Sequence, residues 1–400
     1  MEQHTMRIPL SVLDLVPISS GSNARQALAD TADLARRAEA AGYVQYWIAE
    51  HHLNPGVAGT NPALVIAHVA AATERIRVGS GAVQMGHHTP LSVVEQFGLL
   101  DALHPGRIDL GLGRSGFRRR PGSSSGAAAP SPGRRTERGL LIPPPFSFAG
   151  LLGSPRFALQ IGLLQQPGAE TPSYDEQVDD VLALLAGSYR SAEGAEAHVV
   201  PGEGSALDVW VLGSSGGESA EVAGARGLPF AANYHLSPSS VLDAVEGYRP
   251  RVLPVGTAGE AYVVVSADAV VADTDAAARE LATGYGLWLR SIRTGAGAIQ
   301  FPTPEEARPG RPAKCSWASG RGTSCGSVRV IVRLLRWRWW RSGSRGGAGR
   351  AWCAATRRRV DGWRGAAPPA PVRRGGSARA GRRRATTAAG ACRRPRRRAR

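Results

Sequence analysis

Apolar, strand-like runs alternate with amphipathic helical runs along the first three quarters of the chain. The first four apolar runs begin near residues 8, 43, 76 and 107, so they recur about every 30 to 35 residues. That interval accommodates a strand, a crossover helix and the return to the next strand, which predicts parallel strands. Three more apolar runs, at 207–213, 228–234 and 261–272, bring the expected number of strands to seven.

The polar positions between the strands carry helix signals. Asn61 and Thr89 each precede a proline, so they are expected to cap helices over 62–75 and 90–106. An earlier helix is expected over 26–42, which ends in glycine. This alternation predicts an α/β protein with a parallel (β/α)8 TIM-type barrel that is incomplete at its C-terminal end, because an eighth strand and helix are missing.

An open doubly wound sheet is the alternative fold. The stretch "GLGRSG", residues 111–116, matches the dinucleotide-binding fingerprint and would make the protein a nicotinamide-dependent dehydrogenase. The fingerprint must lead directly into a helix, whereas the residues that follow are rich in Arg, Gly, Ser and Pro. We therefore prefer the barrel.

Residues 117–175 interrupt the strand and helix repeat. Their first part is of low complexity and is expected to be mobile, whereas Leu140–Leu164 is largely apolar. An apolar insertion after a barrel strand is typical of a lid that covers a substrate.

The composition changes abruptly near residue 307. Residues 307–400 carry 26 Arg, one Lys and one Asp, a charge of +26, which leaves −9 for residues 1–306 within the total of +17. All four cysteines (Cys315, Cys325, Cys353 and Cys392) lie in the same segment. The stretch "FPTPEEAR" before it has the signals of a helix start, but no helical pattern continues it.

We therefore divide the chain into a barrel domain, residues 1–306, and a basic tail, residues 307–400. The Arg, Gly, Ala and Pro content of the tail fits a GC-rich gene read out of frame, so we interpret the tail as disordered and frameshift-derived. The alternatives are an arginine-rich arm that binds nucleic acid on an inactive barrel, or a segment that lies on a membrane surface. Nonspecific nucleic-acid binding by the tail is compatible with either origin.

The ends of the predicted strands carry polar residues, where barrel enzymes place their chemistry. The second strand ends in Glu50, His51 and His52. Neighbouring residues on a strand point to opposite faces, so the two histidines do not predict a metal site, and one of them suits proton transfer near neutral pH. We expect no secretory signal and no membrane span, hence a cytoplasmic protein.

Later strand ends predict an anion site. Ser214, Ser215, Gly216 and Gly217 form a Ser/Gly turn before a helix of small residues, where open N–H groups suit a phosphate. Arg114, after the fourth strand, is a second expected phosphate ligand.

Three stretches together resemble the bacterial luciferase-like flavin-dependent monooxygenases, over about residues 8–306. They are "WIAEHH", the run from "RIRVGSGAVQM" to "GLGRSG", and "VWVLGSSGGESAEVAGARGLPFAANYH". The resemblance implies a flavin-dependent monooxygenase that uses reduced FMN and O2 to oxygenate a small hydrophobic substrate. It also implies that a separate flavin reductase supplies the reduced FMN, while a deazaflavin is the alternative cofactor, and we expect a homodimer.

The resemblance assigns roles to residues of this chain. His51 is the implied catalytic, proton-handling residue. Gly81 and Ala82 are the implied backbone contact with the flavin ring, and Arg114 with Ser214 to Gly217 the implied phosphate site. Glu50 and Gln84 are expected near the flavin ring.

The end of the chain departs from this family. Without an eighth strand, the first and seventh strands are expected to have open edges. A protein with a small net stability tolerates such a loss poorly. We therefore expect poor folding or low activity from the chain as written.

Overall fold

The computed structural model describes residues 8–114, 132–147, 149–249, 261–308 and 329–334. Statements about structure below concern these residues. The basic tail other than residues 307–308 and 329–334, and most of the low-complexity part of the insertion, lie outside them.

Seven parallel strands form most of a barrel, as the sequence predicts. Each of the seven strands is hydrogen-bonded in parallel to the next parallel strand along the chain, and this includes the third with the fourth. The described strands are β1 (Leu10–Asp14), β2 (Gln45–Ile48), β3 (Arg77–Ser80), β4 (Val83–Gln84), β5 (Ile108–Gly113), β6 (Arg134–Arg135), β7 (Leu141–Ile142), β8 (Asp208–Gly213), β9 (Phe230–Asn233), β10 (Val263–Asp268) and β11 (Arg329–Leu334).

The gap between β1 and β10 is filled by a strand that we had placed in the tail. Strand β11 is antiparallel to both neighbours, with Val332 opposite Leu10 on one side and Val265 on the other. The parallel barrel is thus incomplete, as expected, but the prediction that the edges of β1 and β10 are open is wrong. Backbone hydrogen bonds of an antiparallel strand close those edges instead.

Helices cover the outside of the sheet. They are α1 (Ala24–Ala40), α2 (Pro62–Ala71), α3 (Pro90–Leu103), α4 (Ala149–Leu152), α5 (Pro155–Leu164), α6 (Tyr174–Ala186), α7 (Glu218–Ala225), α8 (Val241–Tyr248), α9 (Asp275–Leu281) and α10 (Thr283–Arg293). The predicted caps are present, since Asn61 accepts the N–H of Leu64 and Thr89 that of Ser92.

The helix start predicted at "FPTPEEAR" forms only a turn. Thr303 and Glu306 exchange the hydrogen bonds of a capping box. Residues 304–307 are nevertheless a turn, and no helix follows within the described chain. The capping signal is thus present, and the helix does not continue, as the residues that follow indicate.

Two apolar clusters pack on either side of the sheet. The larger lies between the strands and the surrounding helices and includes Tyr46, Ile48 and Phe97. The other fills the inside of the barrel, where Trp47 meets Trp210 edge to face with ring centroids 5.1 Å apart. Alternate residues of β2 therefore belong to different clusters, as the period of a strand requires.

A buried ionic network ties the amino ends of the strands together. The carboxylate of Asp109 accepts hydrogen bonds from Gln45 Nε2 and Trp47 Nε1, both at 2.9 Å, and from Arg77 Nε at 2.8 Å. Arg77 also pairs with Asp208 at 2.8 Å. Burial raises the pKa of Asp109, although the Arg77 guanidinium opposes this shift. The network links four strands at the base of the barrel, opposite the carboxyl ends that we call the mouth.

Candidate active site

The carboxyl end of β2 sends neighbouring side chains in different directions. Ala49 packs inside the barrel with Trp47, whereas Glu50 turns outward beneath the loop that follows β3. His51 follows in the loop at the mouth, where its backbone N–H donates to the Gly59 carbonyl at 2.8 Å. The two histidines of the "EHH" stretch thus occupy different surroundings.

Glu50 is the centre of a polar cluster. Its Oε1 accepts hydrogen bonds from His52 Nε2 at 2.7 Å and from His88 Nε2 at 2.9 Å. Its Oε2 accepts the Gln84 N–H at 2.8 Å, and its backbone carbonyl accepts Gln84 Nε2 at 2.6 Å. The Glu50 side chain is fully buried. One carboxylate therefore joins the loop after β2 to the loop after β3.

The surroundings of Glu50 keep it ionised. Burial raises its pKa, but the hydrogen bonds from His52 and His88 and the Gln84 N–H outweigh burial and bring the pKa to about 2. At neutral pH the group is a carboxylate that only accepts hydrogen bonds.

His87 lies beside this cluster and is uncharged at neutral pH. Its ring meets the His52 ring edge to face, with centroids 5.7 Å apart. Burial lowers the pKa of His87 to about 4, and the neighbouring His52 and His88 act in the same direction against the attraction of Glu50.

Gly81 and Ala82, at the end of β3, form a surface without protruding side chains. Their peptide bond is cis. A Cβ atom on Gly81 would lie 2.6 Å from Leu13 Cδ1, and one on Gly113 would lie 2.9 Å from the Ala82 Cβ. A larger residue at Gly113 would thus crowd Ala82, whereas one at Gly81 would displace the end of the Leu13 side chain.

The Ser/Gly turn leads into helix α7 as predicted. Gly217 is the N-cap residue of the helix. Among the described residues, none accepts the backbone N–H of Ser214, Ser215, Gly216 or Gly217. A hydrogen bond from Ser240 Oγ to the Ser214 carbonyl, at 2.5 Å, fixes the turn. Open N–H groups before a helix are the arrangement that an anion needs.

Arg114 reaches the start of helix α7, so the structure brings the two parts of the predicted anion site together. Arg114 Nη1 lies 2.5 Å from Glu218 Oε2. Sequence reasoning missed Glu218, the first residue of the helix. It also missed His88, although a histidine directly before the Thr89 cap was a visible signal.

The opposite wall of the mouth is also polar. His235 Nδ1 lies 2.6 Å from Ser266 Oγ, and Tyr285 donates a hydrogen bond to Asp268. The buried Oδ1 of Asn233 has no hydrogen-bond donor in the part of the chain that the structure describes. Such a buried acceptor is available to a ligand that carries an N–H or O–H group.

The apolar insertion contacts the rim of the mouth. Tyr234 Oη donates to the Leu141 carbonyl at 2.6 Å. Arg156, in α5, donates to the carbonyl of Leu53 and lies 3.3 Å from Asn54 Oδ1. The segment that we call the lid, Leu140–Leu164, thus meets the loop that carries His51.

The described residues contain neither a metal-ligand cluster nor a membrane-spanning helix. No group of three or more His, Cys, Asp or Glu side chains among the described residues has the geometry of a metal site. No described helix has both the length and the apolar character for crossing a bilayer.

Comparison with known proteins gives consistent matches. The sequence model of the luciferase-like monooxygenase family matches residues 8–137 and 170–317. A luciferase-like monooxygenase from Escherichia coli strain K12 is 34% identical over 299 residues, 74% of this chain and 76% of that protein. The structure of apo-MsnO8 is similar with a TM-score of 0.58 and 28% identity, over 75% of this chain and 78% of that one.

A further solved structure is similar in fold. It is the oxygenating constituent of 3,6-diketocamphane monooxygenase from Pseudomonas putida, a type II Baeyer–Villiger monooxygenase in complex with FMN. The TM-score is 0.51 at 19% identity, over 72% of this chain and 77% of that one.

Proposed function

The chain belongs to the luciferase-like monooxygenase family, and from this premise we propose that it is a flavin-dependent monooxygenase. We propose that it uses reduced FMN and O2 to oxygenate a small hydrophobic substrate. The observation that carries the proposal is the convergence at one mouth of a bare Gly81–Ala82 backbone, an anion site and His51. FMN is a flat ring joined to a phosphate, so it requires the first two.

The residues present fit FMN. The open N–H groups of the Ser214–Gly217 turn and the Arg114 guanidinium would hold the phosphate. Gly81 and Ala82 would lie against the ring, with Glu50 and Gln84 fixing their loop from behind. Glu218 must give up Arg114 when a phosphate binds, because the two anions compete for one guanidinium.

The protein's own residues supply position, dryness and proton transfer. Reduced FMN would supply the electrons that activate O2. His51, in the loop that follows β2, would hold and move a proton on its imidazole. The lid would exclude water from the site. Leu141 and Phe146 on the lid favour a hydrophobic substrate, and Asn233 Oδ1 is available to a polar group on it.

The nicotinamide alternative has little support. Gly111 and Gly113 lie within strand β5, where the dinucleotide fingerprint requires a turn. A Cβ atom on Gly111 would lie 2.1 Å from the Ser80 carbonyl oxygen, so strand packing explains this glycine. We therefore propose that a separate reductase supplies the reduced flavin, and that the protein acts in the cytoplasm.

A homodimer is proposed on the exposure of four leucines. Leu64 on α2 and Leu91, Leu99 and Leu103 on α3 are exposed, and the two helices pack side by side. Apolar side chains on adjacent helices suit a second copy of the chain. Light scattering of the wild type and of Leu99→Glu tests this, with a monomer expected only for the variant.

The test of the proposed function uses the purified full chain. FMN, riboflavin and a deazaflavin are titrated separately, and oxygenation is followed with 18O2 and chemically reduced FMN. We expect FMN to bind most tightly and the label to appear in the product. Preference for the deazaflavin, or reduction of the substrate without label, would contradict the proposal.

A further inference from the structure

The polar cluster around Glu50, beneath the mouth, has a role beyond packing. It contains one fully buried carboxylate and three imidazoles, those of His52, His87 and His88. The carboxylate receives three hydrogen bonds, from two separate loops of the mouth.

We propose that Glu50 is a positioning residue, whose carboxylate fixes the tautomers of His52 and His88 and joins them to the Gly81–Gln84 loop as one proton-holding unit. This rests on the proposed function, because the unit joins the loop that carries His51 to the Gly81–Gln84 loop.

The geometry fixes the tautomers. Both Nε2 atoms point at the same Glu50 oxygen, at 2.7 and 2.9 Å. An ionised carboxylate has no hydrogen to give, so both Nε2 atoms must carry one. In the neutral imidazoles this leaves the two Nδ1 atoms as the basic positions. Their side chains are 16% and 21% exposed, so a proton can reach them from water.

The proton balance of the unit is simple. With both imidazoles neutral, Glu50, His52 and His88 together carry a charge of −1. One proton from water on an Nδ1 atom brings the charge to zero, and no electrons move. His87 faces the same groups and stays neutral, so the unit's charge is set by these three side chains.

The same carboxylate controls the flavin-side loop. Its second oxygen holds the Gln84 N–H at 2.8 Å, and the Gln84 side chain returns to the Glu50 carbonyl. Gly81 and Ala82 lie three and two residues before Gln84. The charge of the unit and the position of the loop therefore depend on one side chain.

Glu50→Gln tests the proposal, because an amide offers one acceptor oxygen where the site requires two. The matched control is Glu74→Gln, whose carboxylate is 85% exposed and meets only Arg75, at 3.5 Å. Histidine tautomers are measured by 15N NMR on the flavin-free chain, with His52→Gln and His88→Gln assigning the two signals. We expect Nε2–H for both in the wild type and the control, and a changed tautomer for at least one in Glu50→Gln.

Activity gives the second readout. We expect kcat of Glu50→Gln to fall about 10- to 100-fold with a shifted pH profile, as for a misplaced catalytic group, while FMN affinity changes far less. His88→Gln keeps an N–H donor for Glu50 but takes up no proton. It is the fallback if Glu50→Gln does not fold, and its kcat should depend on pH differently from that of the wild type.

The outcomes separate the two proposals. Unchanged tautomers in Glu50→Gln, or a wild-type pH profile in His88→Gln, would overturn the positioning role. Expected tautomers in a chain that takes up no flavin would support the hydrogen-bonding role of Glu50 and overturn the FMN proposal alone.

Discussion

Arg114 Nη1 lies 2.5 Å from Glu218 Oε2, between the end of strand β5 and the first turn of helix α7. The two residues are 104 positions apart in the sequence. The pair places a carboxylate in the site that we assign to a phosphate. If the proposed phosphate site is correct, ligand binding would exchange one anion for another on the Arg114 guanidinium.

Removal of the cation should weaken FMN more than riboflavin. For Arg114→Ala we expect a loss of about 10- to 100-fold in FMN affinity, since hydrogen bonds to charged groups contribute about 1.5–3 kcal/mol. Ser215→Ala should also weaken FMN more than riboflavin, with a smaller loss of FMN affinity. Fluorescence titration with both ligands measures the ratio, and equal weakening of FMN and riboflavin would remove the phosphate assignment.

Removal of the competing anion should have the opposite effect. Glu218→Gln frees Arg114 and removes a negative charge, so FMN affinity is expected to rise several-fold at low salt and less at high salt. Glu246→Gln, an exposed carboxylate on α8, is the control for net charge. A decrease in FMN affinity for Glu218→Gln would show that Glu218 helps to hold the ligand.

His51→Ala should separate chemistry from binding. His51 is the proposed proton-transfer residue and belongs to a different loop from the proposed phosphate site, so oxygenation is expected to fall about 100-fold or more. FMN affinity should change little. Single-turnover measurements with reduced FMN check this, and wild-type turnover would show that the proton is handled elsewhere.

Acid should destabilise the protein in a defined range. The pKa of Glu50 is lowered from 4.5 to about 2, so its contribution to stability is complete above pH 4.5 and is lost as the pH falls toward 2. The shift corresponds to about 3 kcal/mol. Urea unfolding at pH 6, 4 and 3 should show a weaker pH dependence for Glu50→Gln than for Glu74→Gln.

Truncation should show how much strand β11 contributes to thermal stability. A chain that ends at residue 308 loses the strand and exposes the edges of β1 and β10, so we expect a lower Tm, by more than about 5 °C, and aggregation. A chain that ends at residue 338 keeps the strand and should melt like the full chain. Equal melting of all three would show that β11 adds no stability.

The sequence predicted the repeating part of the fold because strand and helix signals there are local. The seven parallel strands and the caps at Asn61 and Thr89 follow from short patterns. Helix α6 was missed although Ser173 and Glu176 form a capping box. The helix begins at the end of the insertion, where the repeat of strands and helices is interrupted. Strand β11 was missed because its antiparallel pairing depends on two strands far away in the sequence.

The candidate site was predictable where residues lie at strand ends. That rule located the stretch 50–52, Gly81, Arg114 and the Ser214 turn, but it could not choose between the two histidines or say which residues meet. The pairing of Arg114 with Glu218, and the junction of Glu50 with His88, arise from the closure of the barrel. Their roles remain predictions.

The ionic network at the base has a consequence for engineering. Asp109 and Arg77 bind the barrel together at the end away from the mouth, using Gln45, Trp47 and Asp208 from neighbouring strands. None of these five residues belongs to the proposed flavin site. The loops at the mouth can therefore be exchanged or randomised while the strand register is retained. Libraries for new substrates should therefore vary the rim and leave this anchor untouched.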